Sequence, residues 1–304
     1  MKNRGVYFLA NDRIIDLAIA FLNSFRSYNP TIPLCLIPFN AEVTRLAALQ
    51  DYYEFSLFSN TDALRRCDEA SLHFHNRVIG QYRKLAMWEG GFDEFIYIDS
   101  DTVVLDSIDF VYEFLSNYEF VTSHSNNPAI RKWVWKDSIY RTRALSEVQI
   151  AYATNTGFIG SKKNALTLEE ITAKLPAAVD LSPHMELLCM EQPFLNYLMV
   201  TSGERYTSLQ VIAMERGLTD MPVERWAGRR IGFVHAGRVI PPSEPRILLV
   251  HWAGEWQAAR WQHGIVYLLE ALGIQMKKPV IKYFMRNKRL WNYYRRIRHW
   301  RQCP

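Results

Sequence analysis

Read along the chain, the apolar positions change period several times. Short runs in which every residue or every second residue is apolar predict strands at 5–10, 32–38, 53–58, 94–98, 119–123, 156–160, 231–235 and 247–250. Between many of them a helical period predicts helices over 13–27, 41–50, 75–89, 163–174 and 191–201. Strands alternating with helices in this way predict an α/β fold with a mixed, mostly parallel sheet and helices on both faces. Two segments have no clean period: 124–150, holding Trp133, Trp135, Arg141 and Arg143, and 203–230, holding Trp226, Arg229 and Arg230.

One strand runs directly into two carboxylates. Phe95-Ile96-Tyr97-Ile98 is followed by Asp99-Ser100-Asp101 and then Thr102-Val103-Val104-Leu105. Acids are scarce in strands, so a pair at the end of an apolar run points to backbone geometry that aims both at a cation. Ligands of open α/β sheets bind at the carboxyl ends of strands, where a divalent cation held by one or two carboxylates keeps positions open for phosphates. The pattern therefore reads as a metal-bridged nucleotide diphosphate site. Two other readings compete. Asp99 and Asp101 could begin a turn and cap a helix near Ser107-Ile108. An Asp-x-Asp after an apolar strand also serves haloacid-dehalogenase-like phosphatases, but those need a further acidic cluster, and beyond Asp109 the remaining aspartates are only Asp137, Asp180 and Asp220, each isolated.

The flanks narrow the choice. Upstream lies Arg83-Lys84-Leu85-Ala86-Met87-Trp88-Glu89, closed by Gly90-Gly91; downstream, Asp106-Ser107-Ile108-Asp109 opens another helix. Asn155-Thr156-Gly157-Phe158-Ile159-Gly160, Glu191-Gln192-Pro193-Phe194-Leu195-Asn196 and His251-Trp252-Ala253-Gly254 follow in order, and Val6-Tyr7-Phe8-Leu9-Ala10-Asn11-Asp12 stands near the start. Together these motifs resemble the family 8, glycogenin-like glycosyltransferases of the GT-A fold, over roughly residues 5–261. The resemblance implies a metal-dependent transfer of sugar from a nucleotide diphosphate sugar, a UDP-sugar above all, with retention of anomeric configuration. It also leaves open a nucleotide-sugar-binding or scaffolding protein whose catalysis has decayed.

Carried over residue by residue, the family's metal ligands fall on Asp101 and His251, with Asp99 contacting metal or ribose. An imidazole among carboxylates favours Mn2+ over Mg2+. The resemblance places Leu9, Ala10, Asn11 and Asp12 at the nucleotide base, and Lys84, Ser100 and Gly254 with the rest of the donor. It puts Gln192 at the anomeric carbon, where an amide stabilises positive charge as the leaving group departs, and Asn155 and Glu191 at the sugar hydroxyls. Gln257-Ala258-Ala259 stands where the family has its diphosphate lysine followed by Pro-Trp, which leaves Arg260 or the Trp256 indole to substitute. Glu191 replaces the family's aspartate and reaches one methylene further. The readings without chemistry are a solvated helix position for Lys84, a helix cap for Glu191 and a hydrogen-bonded core histidine for either His251 or His235, each of which ends an apolar run. His73 and His75 would share one face of a strand but have no carboxylate cluster beside them. In this frame 124–150 and 203–230 shape an acceptor pocket, or their tryptophans simply pack.

Composition adds less. The chain has 304 residues, 49% hydrophobic and 22% charged, and lacks an apolar run long enough to span a bilayer. Met1-Lys2-Asn3-Arg4 leads straight into the first strand, unlike a signal peptide, and Cys35, Cys67, Cys189 and Cys303 are scattered like the free thiols of a reducing compartment. Both point to the cytoplasm. Charge divides the chain in two: residues 277–304 hold ten Lys/Arg and no Asp/Glu, so the overall +5 belongs to them and 1–276 is net acidic. Leu290, Tyr293, Tyr294, Ile297 and Trp300 keep helical spacing with Arg295, Arg296 and His299 opposite, a basic amphipathic helix suited to an anionic membrane surface. Packing on its own domain or binding a protein partner are the alternatives. Nucleic acid is disfavoured by the acidic remainder. The acceptor is open among carbohydrate, lipid-linked and protein classes.

Overall fold

The structure, a computed structural model, describes residues 2–226, 233–235, 238–240 and 246–253. Its strands are β1 (Arg4–Ala10), β2 (Leu34–Pro38), β3 (Phe55–Leu57), β4 (Glu94–Asp99), β5 (Thr102–Val104), β6 (Phe120–Thr122), β7 (Phe158–Lys162), β8 (Tyr206–Ser208), β9 (Val223–Trp226), β10 (Phe233–His235), β11 (Arg238–Ile240) and β12 (Ile247–His251). Seven form the central sheet in the order β3-β2-β1-β4-β7-β6-β8. β1 pairs parallel with both β2 and β4, whereas β7 runs antiparallel to its neighbours β4 and β6. The expected mixed, mostly parallel sheet is therefore present.

Both sheet faces are covered, which is why β1 and β4 read as continuous apolar runs instead of alternating ones. Tyr7, Leu9, Phe95 and Tyr97 enter the core under the helices Thr61–His75, Leu168–Leu181 and Gln192–Thr201. Val6, Phe8, Ile96 and Ile98 enter the opposite core, under the helices Ile15–Tyr28 and Leu209–Arg216. The order of strands reverses between β1 and β4, and the crevice at such a switch point is where this class of sheet binds ligands.

Several helices differ from the periodic reading. The predicted helix 75–89 is two elements: Thr61–His75, closed by left-handed Asn76, and a run of 3-10 turns over Gly80–Glu89. His73 and His75 thus lie in the last turn of a helix, not on a strand, and His75 Nε2 is 3.1 Å from the Tyr82 hydroxyl. The span 41–50 breaks into Thr44–Ala47 and Gln50–Tyr53. The helix expected from 163 starts at Leu168, because Thr167 and Glu170 form a capping box there. The helix expected at Asp106 opens only at Val111.

Glu94 anchors the start of β4. Its carboxylate receives Lys2 Nζ at 2.5 Å and Arg4 Nε at 2.9 Å, and its side chain is only 3% exposed. Burial alone would raise its pKa, but these two cations outweigh it and hold the carboxyl below its ordinary value. A depressed folded pKa gives stability that is present above the unfolded Glu value and lost as pH falls through the folded one. Glu94→Gln should cost about 1–2 kcal/mol at neutral pH and flatten the acid side of a melting-temperature profile from pH 7 to 3. Equal losses at both ends of that profile would contradict this role.

Candidate metal and donor site

β4 delivers Asp99 to the carboxyl edge of the sheet, in register with Leu9 of β1. The chain then bends through Ser100-Asp101 into β5, which pairs antiparallel with β12 so that Thr102 sits opposite His251. That pairing brings together residues far apart in the sequence. His251 Nε2 lies 3.3 Å from Asp101 Oδ1 and 3.8 Å from Asp99 Oδ2, and one ligand atom from each of the three residues falls within 4.8 Å of the others. Among the described residues this is the single His/Cys/Asp/Glu group able to hold a metal ion.

Hydrogen bonds fix the bend. Asp99 N donates to the Gly157 carbonyl (2.8 Å), Trp252 N to the Asp101 carbonyl (3.0 Å) and Thr102 Oγ1 to the Asp99 carbonyl (2.7 Å). Burial would raise the Asp101 pKa, but His251 beside it holds the carboxyl below its usual range. Burial would likewise disfavour a charged His251, yet Asp101 and Glu224 raise it well above ordinary histidine. Two carboxylates and one imidazole, tightly grouped and backbone-fixed, fit a divalent cation of the Mn2+ type. Gly157 leaves the space: a Cβ there would come within 2.3 Å of His251 Cε1 and 3.0 Å of Asp99 Oδ2.

A second cluster adjoins the first. Lys84, buried to 4% exposure, places Nζ 2.6 Å from Glu191 Oε1 and 3.0 Å from Asp99 Oδ1, which also accepts from the Tyr97 hydroxyl at 2.6 Å. Burial works against the ammonium, but Asp99 and Glu191 outweigh it and raise Lys84 above its ordinary value. This is no solvated helix lysine. Glu191 stands at the N-cap of its helix but makes no capping bond with its side chain; its carboxylate is spent on Lys84 and the Thr156 hydroxyl, and burial raises its pKa. Next to it, Gln192 donates Nε2 to the Trp133 carbonyl (3.0 Å) and accepts from Thr156 N (3.4 Å). Asn155 Oδ1 accepts from Gly157 N at 2.7 Å, and Asn196 clamps the loop by accepting from Thr154 N and donating to its carbonyl.

The other expected residues are placed differently. Ser100 donates to the Leu9 carbonyl (2.8 Å), and the Ala10 carbonyl accepts from Phe39 N (3.0 Å), so both edges of the β1 end are stapled. Asn11 Oδ1 caps the turn at Arg13 N, and the Asp12 carboxylate accepts from the backbone N–H groups of Arg45 and Leu46 at 2.9 Å each. These side chains build the turn at the end of β1. Gly254, Trp256, Arg260 and the helix expected over 277–304 lie outside the described residues, as does the side chain of His235.

Glu224 is a site residue that the motifs did not reveal. Its fully buried carboxylate receives His251 Nδ1 at 2.6 Å and Trp226 Nε1 at 2.9 Å, and the Ser123 hydroxyl donates to its other oxygen. The available signal was an acid within Val223-Glu224-Arg225-Trp226, the same anomaly that marks Asp99. The segment 124–150 forms the short helices Pro128–Arg131, Ile139–Thr142 and Glu147–Tyr152, and between the first two Trp135 is buried and Trp133 half exposed. Beside β9 a cavity of about 550 Å3 is lined by His124, Asn127, Gln210, Met214, Met221 and Trp226 among others.

No protein-family model matches the chain, and no curated protein matches it by sequence. Solved structures do match. A galactosyltransferase, LgtC, in complex with donor and acceptor sugar analogs aligns over 90% of this chain and 98% of its own, with 12% identity and a TM-score of 0.58. The bifunctional glycosyltransferase WbbM aligns over 89% of this chain and 50% of its own, with 13% identity and a TM-score of 0.53. Mouse xyloside xylosyltransferase 1 aligns over 83% and 98%, with 13% identity and a TM-score of 0.50. At these identities the likeness is one of fold: the chain has the GT-A glycosyltransferase fold.

Proposed function

We propose that the protein is a metal-dependent glycosyltransferase of the family 8 type, moving a hexose-like sugar from a UDP-sugar to an acceptor. The observation that carries this reading is the grouping of Asp99, Asp101 and His251 at the switch point of the sheet, with Lys84 and Glu191 against them. Asp99, Asp101 and His251 would hold Mn2+, with Mg2+ as the substitute. Such a cation neutralises a diphosphate leaving group without needing a proton.

The protein's own groups complete the task. Lys84 keeps a positive charge at the rim of the site because two carboxylates hold it there. Gln192, its Nε2 tethered to Trp133 and its oxygen weakly held by Thr156 N at 3.4 Å, would offer that oxygen's second lone pair to charge developing at the anomeric carbon. Glu191 and Asn155 orient the sugar, and the turn Leu9–Asp12 receives the base. Retention follows if the acceptor attacks the face that the diphosphate vacates, with the diphosphate taking its proton. Gly254 and Arg260 belong to the same proposal as groups closing over the diphosphate. The basic segment 277–304, as an amphipathic helix, would hold the protein at an anionic membrane on the cytoplasmic side; among the described residues no helix is long and apolar enough to cross one.

Hydrolysis of UDP-sugars without acceptor, with and without Mn2+, tests the reading. Metal-dependent release of UDP is expected, whereas binding without release would favour a nucleotide-sugar-binding protein. Gln192→Ala should lower turnover at least tenfold and leave UDP affinity nearly unchanged, as for a group that meets mainly the transition state. An equal loss in affinity would contradict that role, and an inverted product by NMR would overturn retention.

A further inference from the structure

We infer that Glu224 is the positioning residue of the metal centre, acting through His251; this rests on the metal site proposed above. Three observations carry it. Glu224 has no solvent exposure on its side chain, and a buried carboxylate is costly unless a specific task holds it. Its Oε1 lies 2.6 Å from His251 Nδ1, the nitrogen facing away from Asp99 and Asp101. The residue is itself pinned: its carboxylate accepts from Trp226 Nε1 at 2.9 Å and from the Ser123 hydroxyl, and its own backbone carbonyl lies 2.8 Å from His124 Nε2.

The consequence is geometric. His251 Nδ1 must carry a proton to donate to Glu224, so Nε2 is the nitrogen left to bind a cation. The ring plane is fixed as well, which aims Nε2 between the two aspartates. β9 and β12 are parallel neighbours, with His251 in register with Trp226, so one strand supplies the ligand and the next supplies its orientation. Partners of this kind, a carboxylate behind a metal-binding histidine, are worth roughly ten- to a hundredfold in metal affinity.

A double-mutant cycle read by Mn2+ affinity decides it, with free Mn2+ counted by electron paramagnetic resonance in the presence of UDP. Glu224→Leu should weaken Mn2+ binding about ten- to a hundredfold, and Glu224→Gln, which keeps an acceptor oxygen for Nδ1–H, should restore most of it. In a His251→Ala background, Glu224→Leu should change the affinity less than twofold, because the path through the imidazole is gone. A residue that merely held the fold would lower the melting temperature equally in both backgrounds without this cancellation. Undiminished Mn2+ affinity in Glu224→Leu, while His251→Ala binds weakly, overturns the role of Glu224 and leaves the metal site standing. Undiminished affinity in His251→Ala overturns the metal site and this inference together. If Glu224→Leu does not fold, the Gln variant and nitrogen NMR of the Mg2+–UDP complex decide: a protonated Nδ1 on His251 supports the role, a bare Nδ1 overturns it.

Discussion

Asp101→Ala should abolish metal-dependent binding of UDP while the protein stays folded. Asp101 lies at the end of a strand, and its carboxylate faces His251 at 3.3 Å instead of packing in the core. Removing it takes one of three ligands and the carboxylate nearest His251 Nε2. The change in side-chain volume falls at the open edge of the sheet, so the melting temperature should shift by only a few degrees. Isothermal titration of UDP with Mn2+ reads the effect: a loss of at least a hundredfold is expected, and affinity within threefold of the parent would refute the assignment. His251→Ala should lose less, since both carboxylates remain. If His235→Ala produces the loss instead, the wrong histidine has been assigned.

Lys84→Met should be among the most destabilising single changes in the molecule. The ammonium is the only cation within hydrogen-bond reach of the Glu191 carboxylate among the described residues, and it also meets Asp99. Methionine would fill the volume but leave the buried Glu191 carboxylate without a cation and take one from the partly exposed Asp99, at a cost of about 3–5 kcal/mol. For a domain of this size that corresponds to a fall in melting temperature of roughly 6–20 °C. Glu191→Gln added to Lys84→Met should recover a large part of the loss, because it removes one of the two stranded charges, although transfer should remain impaired. A Lys84→Met protein melting within 2 °C of the parent would contradict the network.

Much of this arrangement is legible in the sequence for one reason: the polar groups gathered at the site break local rules. Asp99 and Asp101 end an apolar strand, and His251 ends another, so each stands out against its own neighbourhood. Gly157 was visible as part of a motif, but not its purpose, which is the 2.3 Å approach of His251 to the place of a Cβ. The failures have equally specific causes. Thr61–His75 was missed because its polar face, with Arg65, Arg66, Asp68 and Glu69, dilutes a narrow apolar stripe of Ala63, Leu64, Cys67 and Ala70. The resemblance, which places Asn11 and Asp12 at the base, gives no sign that their oxygens also satisfy backbone N–H groups of the following turns. Glu224 stayed hidden because β9 is four residues long and its significance comes from β12, which pairs with it from outside the segment.

The metal site can be seen directly. Crystals grown with Mn2+ and UDP, measured near the manganese absorption edge, should show an anomalous peak bounded by Asp99, Asp101 and His251 Nε2, with the UDP diphosphate against it and Lys84 alongside. A manganese peak elsewhere, or UDP bound at the end of β1 with none between these three residues, would contradict the account.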